Sequence, residues 1–76
     1  MLSLRLKGGD RVKINGRRLM AAREAANVTR AELAVVADLT HVRIWQLETE
    51  EVSNINENVG KAIAKRLKIG TDELVA

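Results

Sequence analysis

TRAELAVVADLTHVRIWQLET, the stretch Thr29–Thr49, reads as two short helices joined by a tight turn. Thr29 is a good N-cap, and Glu32 three residues later completes a capping box. Leu33, Val36 and Ala37 then give one apolar face at helical spacing. Asp38 tolerates the left-handed conformation that a sharp turn between helices needs. Thr40 caps the second helix, and Leu39 and Ile44 stand where a hydrophobic staple places its two apolar partners. Ile44 and Leu47 turn inward. At about 100° per residue, Val42, Trp45 and Gln46 must point away from that face, flanked by His41 and Arg43. A helix with Val, Trp and Gln on its outer face offers a surface for contact, although an ordinary αα-corner with an idle outer face fits the pattern as well.

The order and spacing of Thr29, Glu32-Leu33-Ala34, Leu39-Thr40, Ile44 and Gln46-Leu47-Glu48 resemble the helix-turn-helix of the lambdoid phage repressor and Cro family, also called the xenobiotic-response-element type. The likeness runs from about Leu19 to Val75. It implies a mainly α, five-helix repressor-like domain that binds DNA through the helix Thr40–Glu48.

On the N-terminal side, Asn15-Gly16 offers an N-cap for a helix over about Gly16–Ala26. Leu19, Ala22, Arg23 and Ala26 line one side of it. An arginine on the buried side of an alanine-rich helix needs a partner, because an unpaired buried charge is costly. The resemblance implies that Arg23 pairs with Glu48, which closes the second helix of the motif; the competing arrangement has Arg23 reaching solvent along its own stem. Before this helix, Leu2, Leu4 and Leu6 alternate with Ser3, Arg5 and Lys7, and Arg11-Val12-Lys13-Ile14 alternates again across the turn-forming Gly8-Gly9-Asp10. This predicts an N-terminal β-hairpin over residues 1–15, apolar on one face and largely basic on the other, attached to a helix-turn-helix domain over residues 16–76. A lone hairpin is marginal in water, so its apolar face must cover either the helices or a second copy of the chain.

On the C-terminal side, Thr49–Asn54 reads as a polar loop. Many relatives implied by the resemblance carry a glycine and basic residues there, whereas this chain has Glu50 and Glu51, which would repel a DNA backbone. The hydroxyls and amide of Thr49, Ser53 and Asn54 stay available. Asn54 and Glu57 resemble a second capping box, opening a helix with Ile55, Val59, Ile63 and Leu67 inward and Lys61, Lys65, Arg66 and Lys68 outward. Gly60 within it suggests a close helix approach. Gly70 breaks this helix, and Thr71, Asp72 and Glu73 open a short fifth helix that returns Leu74 to the core.

Composition bounds the rest. Seventy-six residues make one domain near the size where a single core is marginal. With no cysteine and Trp45 as the sole aromatic residue, the core must be aliphatic, and oligomerisation is expected on stability grounds. No apolar run approaches membrane-spanning length and no signal-peptide core is present, so a cytoplasmic protein with no membrane partner is expected. The net charge is +3, and residues 1–18 carry six basic side chains against Asp10 alone. Such a run leans towards a polyanionic partner or is simply a solvated face. Catalysis finds little support: His41 is the single histidine, Glu50-Glu51 are loop neighbours, and Gly8-Gly9 lacks the remainder of a phosphate-binding fingerprint. Neither an enzyme, a cofactor, a metal nor a small-molecule ligand is expected.

Two binding functions follow. The first is sequence-specific recognition of double-stranded DNA by a small Cro-like transcriptional regulator, expected to be a homodimeric repressor. Gln46 suits adenine, Arg43 guanine or phosphate, and Val42 a thymine methyl, with His41 beside them. Thr29, Arg30 and Thr40 at helix N-termini would hold the phosphate backbone, joined by Thr49, Asn54, Arg17 and Arg18. The second is an antitoxin-like or antirepressor-like protein-binding module, favoured by Trp45, Val42 and the acidic loop. A steep loss of binding with salt distinguishes the first from the second.

Overall fold

A computed structural model describes residues 10–76. It is mainly helical, with four α-helices and one two-stranded antiparallel sheet. In chain order these are β1 (Arg11–Asn15), α1 (Gly16–Ala25), α2 (Arg30–Ala37), α3 (His41–Thr49), β2 (Val52–Asn56) and α4 (Glu57–Leu67), followed by a 3₁₀ turn at Thr71–Glu73.

Each helix starts where a side chain can satisfy its open N–H groups. Asn15 accepts from the Arg18 N–H at 3.0 Å. The Thr29 hydroxyl accepts from the Glu32 N–H at 3.0 Å, while Glu32 accepts from the Thr29 N–H at 2.8 Å, so both halves of the capping box are made. The Thr40 hydroxyl accepts from the Arg43 N–H at 3.1 Å. Three helices also end alike. Asn27, Asp38 and Lys68 take φ of 58°, 57° and 60°, and Val28, Leu39 and Ile69 immediately after them turn an apolar side chain back towards the core. The N–H groups of Val28, Leu39 and Ile69 close on Arg23, Ala34 and Ala64 at 2.9–3.1 Å, the six-residue loop of a Schellman ending. Helix α4 thus ends at Leu67 with Lys68 as its left-handed C-cap, ahead of the Gly70 expected to break it. A lysine in this conformation is strained, whereas glycine is not. Lys68→Gly is expected to raise stability by about 0.5 kcal/mol despite the looser unfolded chain, a gain readable as a higher denaturant midpoint.

The sheet departs most from expectation. Thr49–Asn54 is not all loop, and α4 starts at Glu57 with Asn56 as its cap, not at Asn54. Val52–Asn56 alternates, with Ser53 and Ile55 buried and Val52 and Asn54 exposed. It pairs antiparallel with β1 in the register Arg11↔Asn56, Val12↔Ile55, Lys13↔Asn54, Ile14↔Ser53. Ile55 therefore reaches the core from a strand rather than from a helix. The other edge of β1 takes the chain end: Asn15 donates to the Leu74 carbonyl at 2.8 Å and Ala76 donates to that of Lys13 at 2.9 Å. Drawing Leu74–Ala76 into this pairing leaves room only for the 3₁₀ turn where a fifth helix was expected. Of the hairpin expected over residues 1–15, the second strand is β1; the first strand and Gly8-Gly9 lie outside the described residues.

One apolar core joins all of these elements. Ile14 from β1, Leu19 from α1, Leu33 from α2, Ile44 and Leu47 from α3, Ile63 from α4 and Leu74 are essentially sealed from solvent. The inner face of the sheet lies on α4 at Gly60, where an added Cβ would stand 3.3 Å from Val12 Cγ2 and 3.7 Å from Ile55 Cδ1. The close approach at this glycine is to strand side chains rather than to another helix. On α2 the buried line is Leu33, Ala34 and Ala37; Val36 is exposed, because Ala34 rather than Val36 completes the face turned to the core. No helix among the described residues is long and apolar enough to cross a membrane.

Candidate functional site

Helix α3 is held by its inner side and leaves its outer side bare. Ile44 and Leu47 are fully buried, and Leu39 packs against the same core ahead of the Thr40 cap. The helical period then turns His41, Val42, Trp45 and Gln46 to solvent, with Val42 at 51% and Trp45 at 50% exposure. Arg43 is half-buried on the flank, its Nη1 donating to Gln46 Oε1 at 3.4 Å. That long bond biases the Gln46 amide without consuming its NH₂ donors. Thr29 and Thr40 sit at the N-termini of α2 and α3, each accepting one backbone N–H through its hydroxyl oxygen. Of the two, Thr29 is further tied through Glu32, whose carboxyl lies below its ordinary pKa because the Thr29 N–H and then the Thr29 hydroxyl bond to it, with Arg66 adding a favourable charge.

Behind α3 the buried Glu48 carboxylate is held by the buried Arg23 and the half-exposed Arg30. Arg23 donates from Nε to Glu48 Oε2 and from Nη2 to Oε1 at 3.2 Å, and its Nη1 donates to the Val28 carbonyl at 2.9 Å. Arg30 donates from Nε to Glu48 Oε1 at 2.9 Å. Arg23 thus faces inward to Glu48 rather than out along its stem. Arg30, expected on the phosphate backbone, spends its Nε on the same carboxylate. This bond was not legible in the sequence, since it joins residues eighteen apart through two packed helices.

Other expected contact residues divide in the same way. Arg18 donates from Nη1 to the Val75 carbonyl at 3.0 Å, so it anchors the chain end. Arg17 is exposed and borders an open cleft with Met20, Thr49 and Glu50 where α1 begins beside the end of α3. The Thr49 hydroxyl donates to the Gln46 carbonyl at 3.2 Å. Ser53 is buried and donates to Glu50, which removes it from the set of exposed hydroxyls and gives that acid a structural task. Glu51 accepts from the Gly16 N–H through its carbonyl at 3.2 Å. The acidic loop therefore ties α3 to α1. Asn54 stays exposed, and the pairing of β2 with β1 sets it opposite Lys13 on the outward face of the sheet. Strand β2 had little signal in the sequence: only the alternation of Val52-Ser53-Asn54-Ile55, with a serine at one inward position, marks it.

Protein-family models and curated protein sequences yield no match to this chain.

Proposed function

We propose that this protein is a sequence-specific double-stranded DNA-binding regulator of the phage repressor and Cro helix-turn-helix type, acting as a homodimeric repressor that reads the major groove with α3. The observation that carries this reading is the two-sidedness of α3: Ile44 and Leu47 lock its inner face, leaving His41, Val42, Trp45 and Gln46 on a rigid, solvent-facing one. An α-helix fits the major groove, and residues one turn apart on its outermost line reach base edges. Val42 and Gln46 occupy such a line. Thr29 and Thr40, at two helix N-termini, suit phosphate oxygens, and Asn54 and Arg17 are exposed for the same use. Arg30 and Arg18 each give one nitrogen to a partner within the protein, Arg30 Nε to Glu48 and Arg18 Nη1 to the Val75 carbonyl, and their remaining nitrogens suit phosphate oxygens as well. A single α3 spans few base pairs, which supports a pair of copies on a two-fold site.

The test is a selection of bound sequences from a random duplex pool, followed by Gln46→Ala on the selected site. The variant is expected to lose about 1–3 kcal/mol at one base pair and to relax the preference there. Unaltered affinity and base preference would remove α3 as the reader. The half-exposed Trp45 and Val42 favour a second reading, a protein-binding module on the same fold. Binding centred on those apolar side chains would be nearly independent of salt, whereas duplex binding weakens steeply as salt rises.

A further inference from the structure

The outward face of the sheet is chemically unlike the rest of the surface around α3. Strand alternation puts Val12 and Ile14 inside and Arg11 and Lys13 outside, and the register sets these two cations opposite Asn56 and Asn54. Arg11 and Lys13 are both exposed, and neither meets a carboxylate: the ion pairs among the described residues all end on Glu48. Acids flank the two ends of the sheet: Asp10 and Glu57 at the Arg11 end, where the Glu57 N–H donates to the Asp10 carbonyl at 3.0 Å, and Glu51 before Val52 at the Asn15 end. The platform is rigid. One edge of β1 is bonded to β2, the other to Leu74–Ala76, and its inner face is part of the core. This face also meets α3. Arg11, Asn54 and Asn56 border a shared groove with Arg43, over a floor that includes Leu39 and Ile55.

We propose that this sheet face is a second phosphate-binding surface, on which Arg11 and Lys13, aided by Asn54, grip the backbone of the duplex whose groove α3 enters. Arg43 stands at the border of the two surfaces. The occupant follows from charge and donor type: two cations with no carboxylate partner among the described residues and an exposed amide, spaced along a fixed support, match a row of phosphate oxygens. The proposal rests on the reading of α3 as a duplex-binding helix.

Its test uses the whole chain with Arg11→Gln and Lys13→Gln combined, both at exposed positions, with thermal melting to check that the fold is kept. Affinity is measured across a salt series on the selected duplex and on a scrambled one. The double variant is expected to bind both duplexes roughly tenfold more weakly, with a salt slope shallower by about two units and base preference unchanged. Equal affinity and slope in variant and wild type overturn the proposal, as does a change of base preference without a change of slope. Gln46→Ala separates the two readings, because it tests α3 while leaving both cations in place. Loss of slope in the double variant beside an inert Gln46→Ala keeps the sheet and removes the reader. A wild-type chain that binds no duplex removes both.

Discussion

Arg23→Ala is expected to lower stability by about 3–5 kcal/mol. The Glu48 side chain is completely buried, and its carboxylate is satisfied by Arg23 through two nitrogens and by Arg30 through one. Removing Arg23 leaves that charge to Arg30 alone, whose side chain is 40% exposed and weakened by solvent screening. It also strips the buried Val28 carbonyl of its Arg23 donor and opens space between α1 and α3. A buried pair broken on one side is costly, whereas replacing both members by apolar residues of similar size restores much of the loss. Arg23→Met combined with Glu48→Leu is therefore expected to be more stable than Arg23→Ala. Denaturant melts check both, and a loss below about 1 kcal/mol for Arg23→Ala would show that the carboxylate finds water or another partner.

Gly16→Ala offers a sign test. Helix propensity alone favours alanine by up to about 1 kcal/mol. The packing of α1 against the end of α3 says the opposite. A Cβ at residue 16 would lie 2.1 Å from the Glu50 carbonyl oxygen, 2.6 Å from that of Leu47 and 2.7 Å from that of Glu48. These are backbone atoms, and the Gly16 N–H is itself bonded to the Glu51 carbonyl. No rotamer change relieves the clash, so the two helices must separate or the loop must be rebuilt. A cost of about 3 kcal/mol or more is expected, seen as a melting temperature lower by more than about 10 °C. A melting temperature that rises instead would mean that α1 does not abut the end of α3 in this way.

The local hydrogen-bond chemistry was legible in the sequence. Thr29 with Glu32, Thr40, Asn15 and the left-handed Asp38 all act within four residues, so the chain needs no knowledge of the fold to specify them. The inward Ile44 and Leu47, and with them the outward Val42, Trp45 and Gln46, follow from the helical period alone. Leu33 and Ala37 were placed correctly for the same reason, but Val36 was not: the apolar residues of α2 allow more than one buried face, and only its neighbours choose.

What the tertiary structure decided is of another kind. Val52–Asn56 has a weak alternation and a polar composition, and it becomes a strand because β1 supplies hydrogen-bond partners some forty residues earlier in the chain. The same pairing turns Asn54 and Lys13 to one face; on the other edge of β1, Val75 bridges to Ile14, and a single 3₁₀ turn stands where a last helix was expected. Gly16 could be read as a helix start, but the carbonyl groups that forbid a side chain there come from residues 47–50. Arg30 could be read as a free cation until Glu48 arrived from the next helix. Caps and helical faces are set by bonds and angles within a few residues, where sequence neighbours are also spatial neighbours. Strand partners, close backbone approaches and ion-pair choices depend on atoms that only folding brings together, and in this chain those are the features that join α3 to the elements around it.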